Sequence, residues 1–151
     1  MAQKILIIDE EQNNLDLLHD CLHKAGFKVL TVKEGSSALQ QVNQIKHELI
    51  LLAVMPKMEG FEICRRLKEN DLTKEIPIIF LISETQTIQK NQCFESGAVD
   101  YLCQPFEEVE LIARVNKHLT MCHLQKQLEE KNAQLQEHVY HLSSLDSLRK
   151  G

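Results

Sequence analysis

Hydrophobic positions along the first two-thirds of the chain alternate between two periods. Short apolar runs rich in β-branched residues fall at 4–8, 28–32, 49–54, 77–82 and 99–102, and they predict five strands. The third and fourth runs are apolar at nearly every position, the pattern of central parallel strands covered on both faces. Between the runs the spacing turns helical. Leu15, Leu18 and Leu22 mark one apolar face, Ala38, Val42 and Ile45 a second, and Phe61, Cys64 and Leu67 a third. Ile88 to Phe94 marks a fourth helix, and Gly26 and Gly97 stand where the first and fourth helices should stop. Strictly alternating strands and helices predict right-handed crossovers and a doubly wound α/β sheet.

From Val109 onward the pattern changes. No Pro or Gly occurs between Phe106 and Lys150, and apolar residues keep a helical period. Met121, Leu128, Leu135 and Leu142 recur every seven residues. With these at d, the a positions are Gln125, Asn132 and Val139, and an Asn at a fixes register in a parallel two-stranded coil at some loss of stability. An amphipathic helix folded back on its own domain is the other reading. The seven-residue spacing favours a partner helix. Mostly polar a positions make that coil weak. Residues 143–151 read as a linker, and the expected organisation is a domain at 1–118 with a helical extension at 119–151.

Composition narrows the function classes. Of 151 residues, 43% are hydrophobic and 26% charged, enough to bury a core. The longest apolar run, from Leu49 to Met55, is far short of a membrane span, and no secretory signal is visible. A soluble, cytoplasmic protein without a membrane partner is expected. Residues 1–116 carry 12 basic and 18 acidic side chains, and the remainder 5 and 4. Neither part has the basic surface that phosphate-backbone binding requires, so nucleic acid is not an expected partner. Cys21, Cys64, Cys93, Cys103 and Cys122 form no CxxC pair and read as reduced thiols. His19 and His23 are four apart on the first helix with no third ligand evident, which favours surface over metal.

Parallel α/β sheets place ligands at the carboxyl ends of central strands. The first strand ends in Asp9-Glu10-Glu11, carboxylates that suit a hard divalent cation and equally suit the first turn of the following helix. Four segments then point the same way. Residues 4–11 (KILIIDEE), 55–62 (MPKMEGFE), 76–79 (IPII) and 96–106 (SGAVDYLCQPF) resemble the receiver domain of two-component response regulators, in order and spacing, over about residues 3–118. The resemblance implies a flavodoxin-like (βα)5 fold with strand order 2-1-3-4-5. It also implies phosphoryl transfer from a histidine kinase to an aspartate with Mg²⁺, and a cis peptide at Gln104-Pro105.

The family's chemistry meets departures here. Its acceptor aspartate falls at Leu52 when counted back from Pro56, or at Ala53 when counted forward from Glu48. Neither supplies the oxygen nucleophile that acyl-phosphate formation needs. The family's strand-four hydroxyl falls at Ile82 and its lysine at Gln104. Charge-assisted bonds of the kind so lost contribute about 1.5–3 kcal/mol each. Asp9 and Glu10 remain as vestigial metal-side acids, so weak or no Mg²⁺ binding and no resident cofactor are expected. Tyr101 matches the family's aromatic switch position and is expected to pack.

The expected protein is therefore a non-enzymatic, degenerate receiver acting independently of phosphorylation. Its partner would be a protein or a second copy, met through the fourth helix, fifth strand and fifth helix and through Met121, Leu128, Asn132, Leu135, Val139 and Leu142. Two alternatives stay open: a phosphorelay receiver using a non-standard carboxylate (Asp9, Glu10 or Glu59), and a small-molecule-binding pseudo-receiver.

Overall fold

The structure, a computed structural model, describes residues 2–54, 60–83 and 90–150, with side chains for 2–54, 60–83 and 91–141. The chain divides into two compact units, Met1–Leu119 and Thr120–Gly151. In the first, β1 (Lys4–Ile8), β2 (Lys28–Val32), β3 (Leu49–Ala53), β4 (Ile78–Ile82) and β5 (Asp100–Cys103) form one parallel sheet in the order 2-1-3-4-5. The intervening helices are α1 (Gln12–Lys24), α2 (Gly35–Gln44), α3 (Gly60–Glu69) and α4 (Lys90–Glu95), and α5 (Glu108–Lys150) follows the last strand. The pattern predicts this doubly wound sheet, and its strand order is that of the flavodoxin-like fold that the resemblance implies.

Every residue of β3 and β4 is buried, because helices cover both faces of the central strands. α1 turns Leu15, Leu18 and Leu22 inward, α3 turns Ile63, Cys64 and Leu67, and α5 contributes Leu111, Val115 and Leu119 at helical spacing. Burying each such side chain contributes about 1.5–3 kcal/mol. Gly26 (φ +96°) and Gly97 (φ +107°) close α1 and α4 in a backbone region that side chains disfavour.

The boundaries differ from the sequence expectation in instructive places. β4 begins at Ile78 and not at Pro77, which has no N–H; its carbonyl still accepts from the Ile50 N–H at 3.0 Å. β5 begins one residue late, at Asp100, whose carboxylate is buried. Ile45 lies just outside α2 and is 38% exposed, while Ile63 fills the α3 face where Phe61 is half-buried. Ile88 lies outside the described residues. The linker expected at 143–151 is corrected: α5 continues through Lys150. Its serines disfavour helix by only about 0.5 kcal/mol each, and no Gly or Pro interrupts.

Candidate functional site

Strands β1, β3, β4 and β5 end in Ile8, Ala53, Ile82 and Cys103, and the residues just beyond them line the carboxyl edge of the sheet. Asp9 follows β1 and is 3% exposed. Its N–H donates to the Val32 carbonyl at 3.1 Å, and its Oδ1 accepts from the Glu11 N–H at 3.0 Å, which turns the chain into α1. Its Oδ2 is buried and has no hydrogen-bond partner among the described residues. Burial pushes the Asp9 carboxyl above its ordinary value, and the charges of Glu11 and Glu10 add to this; the Glu11 N–H and the Asn14 side chain pull it back only in part. Glu10 itself is exposed.

The β3 end is apolar. Leu52 is fully buried, facing Ile8 on one neighbouring strand and Phe80 on the other, and Ala53 pairs with Leu81. A Cβ on Gly60 would sit 3.4 Å from the Ala53 carbonyl oxygen and 3.5 Å from the Phe80 ring, so α3 starts hard against this strand end. Ile82 is 5% exposed and pairs with Cys103, and the Gln104 N–H donates to the Ile82 carbonyl at 2.7 Å. The Gln104-Pro105 bond is cis, as the resemblance implies, and Gln104 is half-buried. Glu59 lies outside the described residues, as do the neighbouring 55–58.

The family's Mg²⁺ can be tested against these donors. Asp9 has one carboxylate oxygen free to ligate, with exposed Glu10 beside it, but the adjacent strand end presents the Ala53 methyl. Among the described residues no three His, Cys, Asp or Glu side chains are grouped as a metal site would need. Mg²⁺ keeps several waters and is commonly held by one or two carboxylates, so Asp9 and Glu10 could hold it here, with no carboxylate from the β3 end to join them. The stacked pair His19 and His23, ring centroids 5.7 Å apart, likewise lacks a third ligand among the described residues.

Tyr101 is half-buried and meets Phe94 of α4 edge-on, with ring centroids 5.8 Å apart at 76°. One residue earlier lies a cluster that sequence reasoning missed. Asp100 accepts from Arg114 Nη1 at 2.9 and 2.8 Å, contacts His118 Nε2 at 2.9 Å and accepts from the Tyr101 N–H at 2.8 Å. Burial raises the Asp100 carboxyl, but the bonds from His118, the Tyr101 backbone and Arg114 together hold it below its ordinary value. The cluster ties the start of β5 to α5. Arg114 and His118 stand four apart on one helix face, the only signal in the sequence that could have found it.

In the second unit Met121, Leu128, Leu135 and Val139 are each more than half exposed, and Asn132 is exposed among them. The side chain of Leu142 lies outside those described. The cysteines are unbridged. Burial pushes Cys93 up to about 11, with the neighbouring Cys64 and Cys103 adding to it, so it is inert as a nucleophile at neutral pH. No helix among the described residues is long and apolar enough to cross a membrane.

Comparison with known proteins decides the family. The model of the response regulator receiver domain matches residues 5–116. The chain belongs to the response regulator receiver family. This receiver is 39% identical over 113 residues to the DNA-binding dual master transcriptional regulator RpaA of Synechocystis, a match covering 74% of this chain and 47% of the relative. It is 36% identical over 120 residues to the DNA-binding response regulator MtrA of Mycolicibacterium smegmatis, covering 79% and 51%. Among solved structures, a putative response regulator from Chloroflexus aurantiacus matches with a TM-score of 0.75 at 33% identity, over 80% of this chain and 99% of that one.

The chain spans about half the length of the regulators it matches. Those relatives overturn the expectation that nucleic acid has no part in the function, since they are DNA-binding regulators by name. The physical reason is one of scope. A net charge of −5 describes the surface of these 151 residues, and the relatives are about twice as long as the stretch they share with it.

Proposed function

We propose that this receiver is a signalling module of a two-component regulator that works without accepting a phosphoryl group. The observation that carries the reading is the β3 end. Ala53 closes that strand, Leu52 is buried before it, and neither side chain has an oxygen to attack phosphorus. Ile82 ends the neighbouring β4 and Gln104 follows β5 beyond it, so the positions of the family's hydroxyl and ammonium hold neither group. A ligand shifts a conformational equilibrium only through contacts that differ between the states, and here those contacts are gone. The β3 end adds no carboxylate to Asp9 and Glu10, which supports weak or no Mg²⁺ binding.

In this reading the module is non-enzymatic and cytoplasmic and signals through protein contacts. The exposed residues Met121, Leu128, Asn132, Leu135 and Val139 join two copies in a parallel coil, with 1–118 as the folded receiver and 119–151 as the extension. The DNA-binding relatives support an output that acts on DNA. Beryllium fluoride with Mg²⁺, a phosphoryl mimic, tests the silent site by amide NMR. The resonances of Asp9, Ala53, Ile82 and Gln104 are expected to stay in place. Saturable shifts at all four strand ends would overturn the reading.

A further inference from the structure

The amino ends of β1 and β2 border a cavity of about 130 Å³ lined by Lys4, Lys28, Val29, Leu30, Ile45 and His47. It lies at the opposite end of the strands from Asp9. Lys4 and Lys28 are register partners, so two exposed lysine side chains leave adjacent strands on the same face. Neither ammonium has an ion pair with a described residue, and the nearby Glu48 carboxylate accepts instead from the Lys4 backbone N–H at 2.6 Å. His47 is 2% exposed, and its Nδ1 is buried without a hydrogen-bond partner among the described residues. An unsatisfied buried nitrogen of this kind is destabilising unless something supplies the missing bond.

The walls decide the ligand class. Val29, Leu30, Ile45 and the lysine stems are aliphatic, so most of the lining suits an apolar body. The volume is close to that of cavities that hold one benzene ring, about 150 Å³. We propose that this cavity binds a small organic carboxylate, its apolar body against Val29, Leu30 and Ile45 and its anionic end toward His47 and the paired lysines. Burial holds the His47 ring below its ordinary pKa, against the opposing pull of a hydrogen bond to the Ile45 backbone and of the Glu48 charge, so at neutral pH the ring is uncharged. The lysines supply the charge.

The test is an amide NMR titration of the full chain with benzoate, benzyl alcohol and inorganic phosphate, repeated on Lys28→Gln and His47→Gln. Benzoate is expected to bind saturably at about millimolar concentration, with shifts centred on 28–30 and 45–47, and benzyl alcohol about tenfold more weakly. Lys28→Gln, an exposed substitution that leaves the core intact, should weaken benzoate severalfold. Any one of four results overturns the proposal: no saturable shift, benzyl alcohol binding as well as benzoate, phosphate displacing benzoate at equal concentration, or Lys28→Gln binding benzoate unchanged. If His47→Gln unfolds, the Lys28→Gln comparison still decides.

Discussion

At Asp9 a buried carboxylate sits against two acidic neighbours with one oxygen unbonded, and its folded pKa is raised, chiefly by burial. The sign follows from linkage. A raised carboxyl contributes stability below its unfolded value of about 4 and loses it as pH rises through the folded value, so at pH 7 the charge works against the fold. Asp9→Asn keeps an acceptor for the Glu11 N–H and removes that charge. It is expected to stabilise by about 1 kcal/mol at pH 7 in denaturant unfolding, with the gain gone below about pH 4. His47 runs the other way. Its lowered pKa contributes stability above about 6.5 that is lost as pH falls, because the unfolded ring takes a proton that the buried one resists. Between pH 7.5 and 5.5 the unfolding midpoint should drop, and the drop should shrink in His47→Gln. Asp100 also loses its contribution in acid, as pH falls below about 4 through its lowered folded value. Asp100→Ala leaves Arg114 and His118 without their common partner. Removing one member of a buried pair costs about 3–5 kcal/mol, and the partial exposure of Arg114 reduces the expected loss to about 2 kcal/mol.

Among the elements, the sequence was most legible where periodicity is strongest. β3 and β4 were evident as unbroken apolar runs, and α1 from three leucines at helical spacing, because burial of whole faces leaves a local trace. β5 was misplaced by one residue. The expected run at 99–102 already held Asp100, but its partners, fourteen and eighteen residues later, leave no local trace that the strand starts there. The length of α5 was missed for the opposite reason: serines suggest a linker locally, and only the absence of a helix breaker carries the helix on. Gly97 gives this scale a test. A Cβ there would lie 2.6 Å from Lys68 Cγ, and Lys68 is anchored to the Lys74 and Ile76 carbonyls at 3.1 and 2.7 Å. At Gly26 nothing lies within 4 Å. Gly26→Ala should therefore cost only the backbone term, about 1–2 kcal/mol, and Gly97→Ala clearly more in thermal unfolding. For the extension, light scattering should show a dimer that Leu128→Lys with Leu135→Lys converts to a monomer. A monomeric wild-type chain at high concentration would contradict the coil.

For the whole molecule, the alternation of strands and helices was readable from residues alone, while the strand order and the meaning of the strand-end positions came from the resemblance of four motifs. What Asp9 and Ala53 do together was not readable, because it depends on which atoms are buried and bonded across strands. The DNA connection was also out of reach of charge counting, since it rests on relatives that extend beyond the shared stretch. Intact mass after incubation with acetyl phosphate and Mg²⁺, beside an ordinary receiver as control, decides whether this receiver takes a phosphoryl group. The chain is expected to stay unmodified beside a modified control. A single stable phosphoryl adduct on this chain would contradict it, and peptide mapping would then have to locate the acceptor among Asp9, Glu10 and Glu59.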